Sequence, residues 1–248
     1  MAVLQTKALI LRHTTDREHD RLLSVITPEY GMQRLRARGT KKSVSKLAGS
    51  LEPMMEVDLA YAEGRTMGTV TGSIIVDRFP DIRNDLIGMV MAQWLLELTE
   101  RISKPNQPES AVYELVKSAL HHIPTTINLS GGKRLVVLDR WAWRLLDAEG
   151  FVPVVDRCIT CGQTISGERG YDHGGFRHLD HGAVPTRISE DGILWLQGSG
   201  EPLDSRAQFL AIHQLVEEVL LSVLDHPLKS TPVLKRFLQL ERLSVPKE

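Results

Sequence analysis

Apolar and polar positions change their period twice along the chain. Before residue 80, short runs of β-favouring or alternating apolar residues are separated by turn signals at 28–31 and 62–65, a pattern typical of strands. The predicted strands span residues 3–12, 21–27, 31–38, 54–61 and 67–76. Five short strands with no long helical stretch favour a small barrel. We expect a five-stranded OB-type β-barrel over residues 1–80, with an SH3-like barrel as the alternative that strand number alone leaves open.

From residue 81 the period becomes that of a helix. In residues 85–102 the apolar side chains recur on one helix face, at Leu86, Val90, Trp94, Leu95 and Leu98. Four further helices are predicted at residues 109–123, 133–149, 204–224 and 233–243, and Pro124 and Gly150 are the stop signals of the first two. The predicted fold class is therefore α+β, with a mostly α-helical domain over residues 81–150 and 186–248.

Residues 151–185 separate the two helical segments and differ from both in composition. They are rich in Gly, Cys and His and poor in aliphatic residues. A stretch of this kind has too little apolar surface to build a core of its own, so a bound metal ion is the expected organiser. We expect a small zinc-knuckle-like insert here.

The segment 34–46 holds six basic residues and no acidic one. Alternate residues of a strand share a face, so the strand is expected to present three arginines on one side, and three lysines follow in the next loop: Arg34, Arg36, Arg38, Lys41, Lys42 and Lys46. Fixed guanidinium groups followed by mobile ammonium groups can follow a phosphate backbone and release its counterions. A solvated face kept charged for solubility is the alternative, but like charges without interleaved acids repel one another.

The two cysteines of the chain form a C-x2-C pair, Cys158 and Cys161, and an H-x2-H pair follows at His178 and His181. Two short-spaced pairs joined by a loop can supply the four ligands of a tetrahedral zinc ion. Four protein ligands favour structural rather than catalytic zinc. Because the H-x2-H spacing is shorter than in a ββα finger, a knuckle or ribbon geometry is expected.

Other interpretations of this cluster remain open at the sequence level. His173 can replace either histidine, and Asp180 can be a further ligand or the partner of one. A redox pair of cysteines is disfavoured, because no thioredoxin-like βαβ pattern surrounds them. A metal-free cluster with exposed histidines is the remaining alternative.

Composition and missing motifs limit the remaining functions. The chain has 248 residues and a net charge of −1, which excludes a globally basic nucleic-acid binder but not a local basic patch. No apolar run reaches the length of about 18 residues that spans a membrane. Residues 1–16 lack a basic leader and a cleavage site, so a cytoplasmic protein without membrane contact is expected. The sequence contains no Walker A loop, nucleophile elbow or zinc-deaminase motif, so no enzymatic activity is expected.

Short signatures follow one another in a fixed order along most of the chain. They lie at residues 7–12, 18–24, 27–31, 37–39, 46–49, 51–53, 140–153 and 156–162. In this order and spacing, with a barrel, a helical middle and a Cys/His insert, the sequence resembles the bacterial RecO family of DNA repair proteins. The stretch 18–53 is the most specific, whereas residues 102–130 and those after 185 match only in helical character.

The resemblance implies a recombination mediator that binds single- and double-stranded DNA and anneals complementary strands. It also implies binding to the acidic C-terminal tail of SSB, and loading of RecA onto SSB-coated DNA together with RecR, with RecF as a further partner. Such a protein would be cytoplasmic and nucleoid-associated. The competing hypothesis is a generic OB-fold RNA- or DNA-binding accessory factor without annealing or mediator activity.

The resemblance also implies roles for particular residues. The family's DNA-binding residues correspond to the six basic residues of segment 34–46, and less securely to Arg12 and Arg21. Arg140 and Arg144, four residues apart on one helix face, are candidates for the basic rim of a groove for the SSB tail, although such pairs also occur on solvated faces. Family members with a zinc module carry a second C-x2-C pair, which His178 and His181 replace here.

Overall fold

The structure, a computed structural model, describes residues 2–16, 19–40, 47–172 and 174–238. The chain divides into two compact units, Met1–Ile127 and Asn128–Glu248. This division cuts the predicted helical region 81–150, because the helices before residue 127 pack with the barrel. The boundary near residue 80 therefore separates two kinds of secondary structure rather than two compact units.

Five strands of the first unit form a closed barrel in the order β1-β2-β3-β5-β4. They are β1 (Val3–Thr15), β2 (Arg21–Thr27), β3 (Gly31–Ala37), β4 (Glu56–Ala62) and β5 (Gly68–Asp77). Neighbouring strands are antiparallel except β3 and β5, which run parallel and pair only where Leu35 meets Gly68 and Arg36 meets Thr69. The predicted strands are confirmed to within a few residues, and the barrel is OB-like.

Alternation along the strands fills the barrel with apolar side chains. The buried core contains Ala8, Ile10, Leu23, Val25, Leu35, Ala37, Leu51, Met55, Val57, Leu59, Tyr61 and Val70. The register of β1 against β2 shifts between Ile10 and Arg12, and such a bulge bends a strand around a small barrel. The intervening residues of the strands lie outside this core: some of them, such as Leu9 and Ile26, are also buried, and others, such as Lys7 and Arg34, are exposed charged residues.

Three helices complete the first unit, α1 (Pro80–Arg83), α2 (Leu86–Ile102) and α3 (Ser110–His122). The Asp85 carboxylate begins α2 by accepting a hydrogen bond of 3.1 Å from the backbone N–H of Ile87. Glu56 of β4 is buried and accepts hydrogen bonds from the Tyr113 hydroxyl (2.6 Å) and the Lys117 ammonium group (2.8 Å) of α3. A charged network therefore joins α3 to the barrel.

The second unit is mainly helical. Its elements are α4 (Gly131–Ala148), β6 (Arg169–Asp172), β7 (Gly175–Arg177), β8 (Thr186–Ile188), α5 (Glu190–Gln197), α6 (Arg206–Val223) and α7 (Thr231–Phe237). α4 packs against α5 and α6, and α6 packs against β8. The predicted stop signal of α4 is confirmed, because Gly150 has a φ of 78° and the next N–H, of Phe151, donates to the Leu146 carbonyl at 2.8 Å.

A polar network links three helices of the second unit. Asp139 of α4 is buried, and both of its carboxylate oxygens lie 3.2 Å from Nδ1 of His213 on α6. The other ring nitrogen of His213 lies 3.6 Å from Glu217, which pairs with Lys235 of α7 at 2.6 Å. Burial lowers the pKa of His213, but the Asp139 and Glu217 carboxylates outweigh it and the pKa lies above its ordinary value.

The sequence did not predict α1, α5 or the antiparallel sheet β7-β6-β8. Strands of three or four residues are too short for a periodic pattern to develop. The longer helices were predicted to within a few residues at their ends; α7 ends at Phe237, and the predicted residues 239–243 lie outside the described residues. Among the helices in the described ranges, none is long and apolar enough to cross a membrane.

Candidate nucleic-acid face and metal centre

Two of the three arginines predicted from the sequence, Arg34 and Arg36, lie on the outer side of β3, and Arg38 is the first residue after the strand. Leu35 and Ala37 are buried in the barrel, whereas Arg34 and Arg38 are exposed and Arg36 is half-buried. The alternation predicted for this strand is therefore correct. We call the outward side chains Arg34, Arg36 and Arg38 the β3 face.

The charges of the β3 face differ in how far they are neutralised. Nε of Arg36 lies 2.7 Å from a carboxylate oxygen of Asp16, in the loop after β1. Arg34 and Arg38 form no ion pair with any residue in the described ranges. Two of the three guanidinium groups are thus available to a phosphate, and the third is shared with an acid.

Arg12 lies in the same outward row as the β3 face. The register places Arg12 opposite Ser24 of β2, and Ser24 opposite Arg34 of β3. Nε of Arg12 pairs with the buried carboxylate of Glu100 at 3.1 Å, and Glu100 also accepts a hydrogen bond of 2.6 Å from the Ser24 hydroxyl. About half of the Arg12 side chain remains exposed (48%), so it can add to the face at reduced charge.

Arg21 is placed differently. It lies opposite Ala37, an inward position of β3, and Nη1 donates to Glu52 at 2.7 Å. Burial would raise the pKa of Glu52, but hydrogen bonds from Arg21 and His13 outweigh it and hold the pKa below its ordinary value. Arg21 therefore binds Glu52 and does not belong to the β3 face. Three further predicted residues, Lys41, Lys42 and Lys46, lie outside the described residues.

Beside the β3 face lies a groove of about 720 Å³ that the sequence did not reveal. Its lining includes Tyr30, Gln33 and Arg34 at the start of β3, Tyr61 of β4 and Arg65 of the β4–β5 loop. These residues are distant in sequence, and only the strand order brings them together. We call this cavity the β3 groove.

In the second unit, Arg140 and Arg144 each stack on a tryptophan of that unit. The guanidinium carbon of Arg140 lies 4.8 Å from the ring centre of Trp195, and that of Arg144 lies 5.0 Å from the ring centre of Trp141. Nε of Arg140 is buried without a hydrogen-bond partner. Burial and the neighbouring Arg144 lower the pKa of Arg140. The two guanidinium groups are thus held near each other on tryptophan rings, and their role as a basic rim stays a prediction.

The predicted Cys/His ligands converge in the second unit. The donor atoms of Cys158, Cys161, His178 and His181 all lie within 4.8 Å of one another. Sγ of Cys158 lies 3.2 Å from Nδ1 of His181, and Sγ of Cys161 lies 3.6 Å from Nδ1 of His178. In a tetrahedral zinc site, ligand atoms at about 2.0–2.3 Å from the metal lie about 3.3–3.8 Å apart. The distance of 3.6 Å lies within this range, and the distance of 3.2 Å lies just below it.

The surroundings of the cluster prepare it for a metal ion. Nε2 of His178 lies 3.2 Å from the Thr164 carbonyl, which favours the tautomer with a free Nδ1 lone pair. Burial would raise the pKa of the Cys158 thiol, but hydrogen bonds from the backbone N–H groups of Cys161, His178 and Thr160, and from the His181 ring, lower it to about 5. A thiolate at neutral pH is the form that binds zinc. The residues fit a structural zinc ion.

Backbone geometry explains how so short a segment forms this cluster. Gly162 has a φ of 74°, and its N–H donates to the Cys158 carbonyl at 2.8 Å, which makes the tight turn of a knuckle. Asp180 is exposed and lies 4.0 Å from Nε2 of His181, the ring nitrogen that faces away from Cys158. Asp180 is therefore a neighbour of a ligand rather than a ligand. His173 lies outside the described residues.

The fold and the site define an α+β protein with an OB-like barrel that carries a cationic face and a helical unit that carries a Cys2His2 cluster. The profile of "Recombination protein O N terminal" matches residues 1–79, and that of "Recombination protein O C terminal" matches residues 83–232. The chain belongs to the RecO family of DNA repair proteins.

Individual relatives support this assignment. The DNA repair protein RecO of Bifidobacterium adolescentis is 28% identical over an alignment of 256 positions. The alignment covers 94% of this chain and 100% of the relative. That of Dehalococcoides mccartyi strain BAV1 is 32% identical over 157 residues, or 63% of this chain and 60% of the relative. The chain thus spans about 60% of the length of the Dehalococcoides relative that it matches.

Proposed function

We propose that this protein is a non-enzymatic recombination mediator that binds single- and double-stranded DNA and anneals complementary strands. The observation that carries this proposal is the β3 face, where Arg34 on the strand and Arg38 in the turn directly after it have no acidic partner among the described residues. Membership of the RecO family supports the assignment to DNA repair. The protein would act in the cytoplasm, in association with the nucleoid.

Charge neutralisation is the proposed mechanism of annealing. Two DNA strands repel each other through their phosphates, and a cationic face that neutralises several phosphates releases counterions and lowers that repulsion. Contacts between these guanidinium groups and phosphates carry no sequence information, so binding of this kind does not depend on base sequence. Pairing between complementary strands can then begin on the protein surface.

The proposed partners come from the resemblance to the RecO family, and the second unit supports one of them, the SSB tail. The stacked guanidinium groups of Arg140 and Arg144 are suited to an acidic peptide such as the SSB tail. We propose that this contact brings the protein to SSB-coated DNA, where it helps load RecA together with RecR, with RecF as a further partner. The Cys2His2 cluster would hold structural zinc, which cross-links the insert and takes no part in a reaction.

Strand annealing tests the proposal directly. Two complementary oligonucleotides, naked or coated with cognate SSB, are mixed with wild type and with an Arg34→Ala/Arg38→Ala variant at several salt concentrations. We expect salt-sensitive annealing that survives SSB, and a reduction of the salt slope of DNA binding by about two in the variant. The control is Lys7→Ala/Arg78→Ala, which removes the same charge from exposed positions away from the β3 face.

The outcomes separate the two hypotheses. Equal annealing by the β3-face variant and the control variant would contradict the proposed role of this strand. Binding of nucleic acid without annealing would favour a generic OB-fold accessory factor.

A further inference from the structure

The β3 groove arises from the way the barrel closes. β3 and β5 pair only at Leu35 with Gly68 and Arg36 with Thr69, so the first four residues of β3 have no partner on β5. The edge exposed there is met by the α2–α3 loop, since the N–H of Asn106 donates to the Met32 carbonyl at 3.2 Å. The remaining gap is the groove.

The β4–β5 loop holds one side of the groove in a fixed form. A Cβ atom added at Gly64 would lie 2.1 Å from the Met67 carbonyl oxygen, so the loop turns too tightly for another residue. Gly68 is equally crowded, with its added Cβ 2.8 Å from the Leu35 side chain. This tight loop presents exposed Arg65 to the groove.

The groove is lined by apolar side chains in its interior and by mostly polar side chains at its margin. The apolar lining residues Leu4, Met32, Tyr61 and Met67 are buried or half-buried, whereas the exposed lining residues are mostly polar or charged. The rings of Tyr30 and Tyr61 meet edge to face at a centroid distance of 6.3 Å. The Gln33 amide donates to the Asn106 side chain at 3.0 Å and adds hydrogen-bonding groups at the margin.

The charges of the lining exclude a run of phosphates. Arg34 and Arg65 are matched by two carboxylates, Glu29 and Glu63. A phosphate backbone needs cations of one sign along its path, whereas a nucleobase needs an aromatic or apolar surface together with donors and acceptors at its edge. The volume is also in the range of small-molecule sites, about 300–1,000 Å³.

We propose that the β3 groove accepts one unpaired nucleobase of a DNA strand whose phosphates contact the β3 face. This inference rests on the proposed function. Arg34 belongs to both the face and the groove, so a strand can keep a phosphate on Arg34 while the adjoining base enters beside Tyr30. A base inside a duplex is held in its stack and cannot enter without being flipped out. The groove therefore selects single strands, while the β3 face binds single and double strands alike.

A fluorescent base analogue tests this assignment. A single-stranded oligonucleotide carrying one 2-aminopurine is titrated with wild type, Tyr30→Leu and Tyr30→Phe, and an unlabelled duplex is titrated in parallel. Stacking quenches 2-aminopurine, so we expect quenching by wild type and by Tyr30→Phe. In Tyr30→Leu we expect the quenching to be lost and single-strand affinity to fall by about tenfold, with duplex affinity unchanged.

A charge variant provides a second and independent test. Arg65 is exposed, so Arg65→Gln is expected to fold normally even if Tyr30→Leu does not. It should weaken binding to single strands more than to duplex, whereas the matched variant Arg78→Gln, also exposed but outside the groove lining, should affect neither. Thermal melting of each variant checks the fold.

The outcomes distinguish this inference from the proposed function. If wild type binds single strands but folded Tyr30→Leu and Arg65→Gln behave like wild type, the base site is wrong and the β3 face stands. If these variants lose as much affinity for duplex as for single strands, the base site is also contradicted. If wild type binds no DNA, the proposed function itself fails. Displacement of the quenched base by an acidic peptide that requires Tyr30 would make the groove a peptide site.

Discussion

The barrel and the Cys/His insert hold their structures by different means. The barrel is filled by apolar side chains from all five strands, whereas the insert has strands of three or four residues and buries few apolar side chains, among them Ile165, Tyr171 and Phe176. The first can therefore keep Arg34 and Arg38 on its surface without an acidic partner among the described residues, because its interior supplies the stability. We expect the second to depend on a metal ion held by the four side chains of the Cys2His2 cluster.

Removing one of the four side chains of the Cys2His2 cluster should lower thermal stability more than any other change, and only in the second unit. Cys158→Ser removes the buried thiolate of the cluster, so we expect zinc loss and a melting temperature lower by about 10 °C or more for the second unit, with DNA binding by the β3 face retained. Zinc content and thermal melting measure this. Thr160→Ser, between the two cysteines, is the control. A Cys158→Ser variant that melts at the temperature of wild type would show that apolar contacts alone suffice for the insert.

The buried carboxylate of Glu56 should also contribute to stability in the first unit, by a smaller amount than the Cys2His2 cluster contributes in the second. Glu56→Gln leaves Lys117 without its carboxylate and weakens the bond from Tyr113, so the free energy of unfolding should fall by about 2 kcal/mol. Urea denaturation measures the change. Asp58→Asn, an exposed carboxylate on the same strand, should change it by less than about 0.5 kcal/mol. Equal changes in the free energy of unfolding for Glu56→Gln and Asp58→Asn would mean that the buried bonds of Glu56 stabilise the unit no more than an exposed carboxylate does.

The stability of the second unit should depend on pH through His213. Its pKa is raised in the folded state, so the charged form contributes stability below the unfolded pKa of about 6.5, and this is lost as pH rises through the folded pKa. The groups that face it are Asp139, Glu217 and Lys235. We expect the melting temperature to fall by a few degrees between about pH 6 and pH 8.5, and the fall to shrink in His213→Asn. His226→Asn, an exposed histidine, should keep the full dependence.

The smallest effect is expected at the surface of the barrel. Asp16→Asn removes the partner of Arg36, and an exposed ion pair contributes less than about 1 kcal/mol. Freed Arg36 should instead bind a phosphate, so the salt slope of DNA binding should steepen by about one. Salt titrations compare this variant with Asp58→Asn. An unchanged slope would show that Arg36 stays away from DNA even without Asp16.

The sequence predicts the barrel well because each strand alternates and ends at a turn signal. It predicts the ligands Cys158, Cys161, His178 and His181 because each pair is local in the sequence. The same local pattern places Arg34, Arg36 and Arg38 on one side of β3.

Contacts between residues far apart in the sequence could not be predicted from the sequence. Arg36 and Asp16, Arg12 and Glu100, and Arg21 and Glu52 become partners only through strand register and helix packing. No periodic pattern joins Tyr30 to Arg65, so the β3 groove was missed. The grouping of α2 and α3 with the barrel was missed for the same reason, since the Glu56 network spans two elements far apart in sequence.

The parallel contact between β3 and β5 has a consequence for motion. Only two paired positions close the barrel there, while every other strand pair has a longer ladder. Local opening follows the weakest set of hydrogen bonds, so amide hydrogen exchange in the barrel should be fastest along this junction. A barrel that opens there would widen the β3 groove and move Arg36 together with it, so under the proposed function the spacing of phosphates on the β3 face would depend on this opening of the sheet.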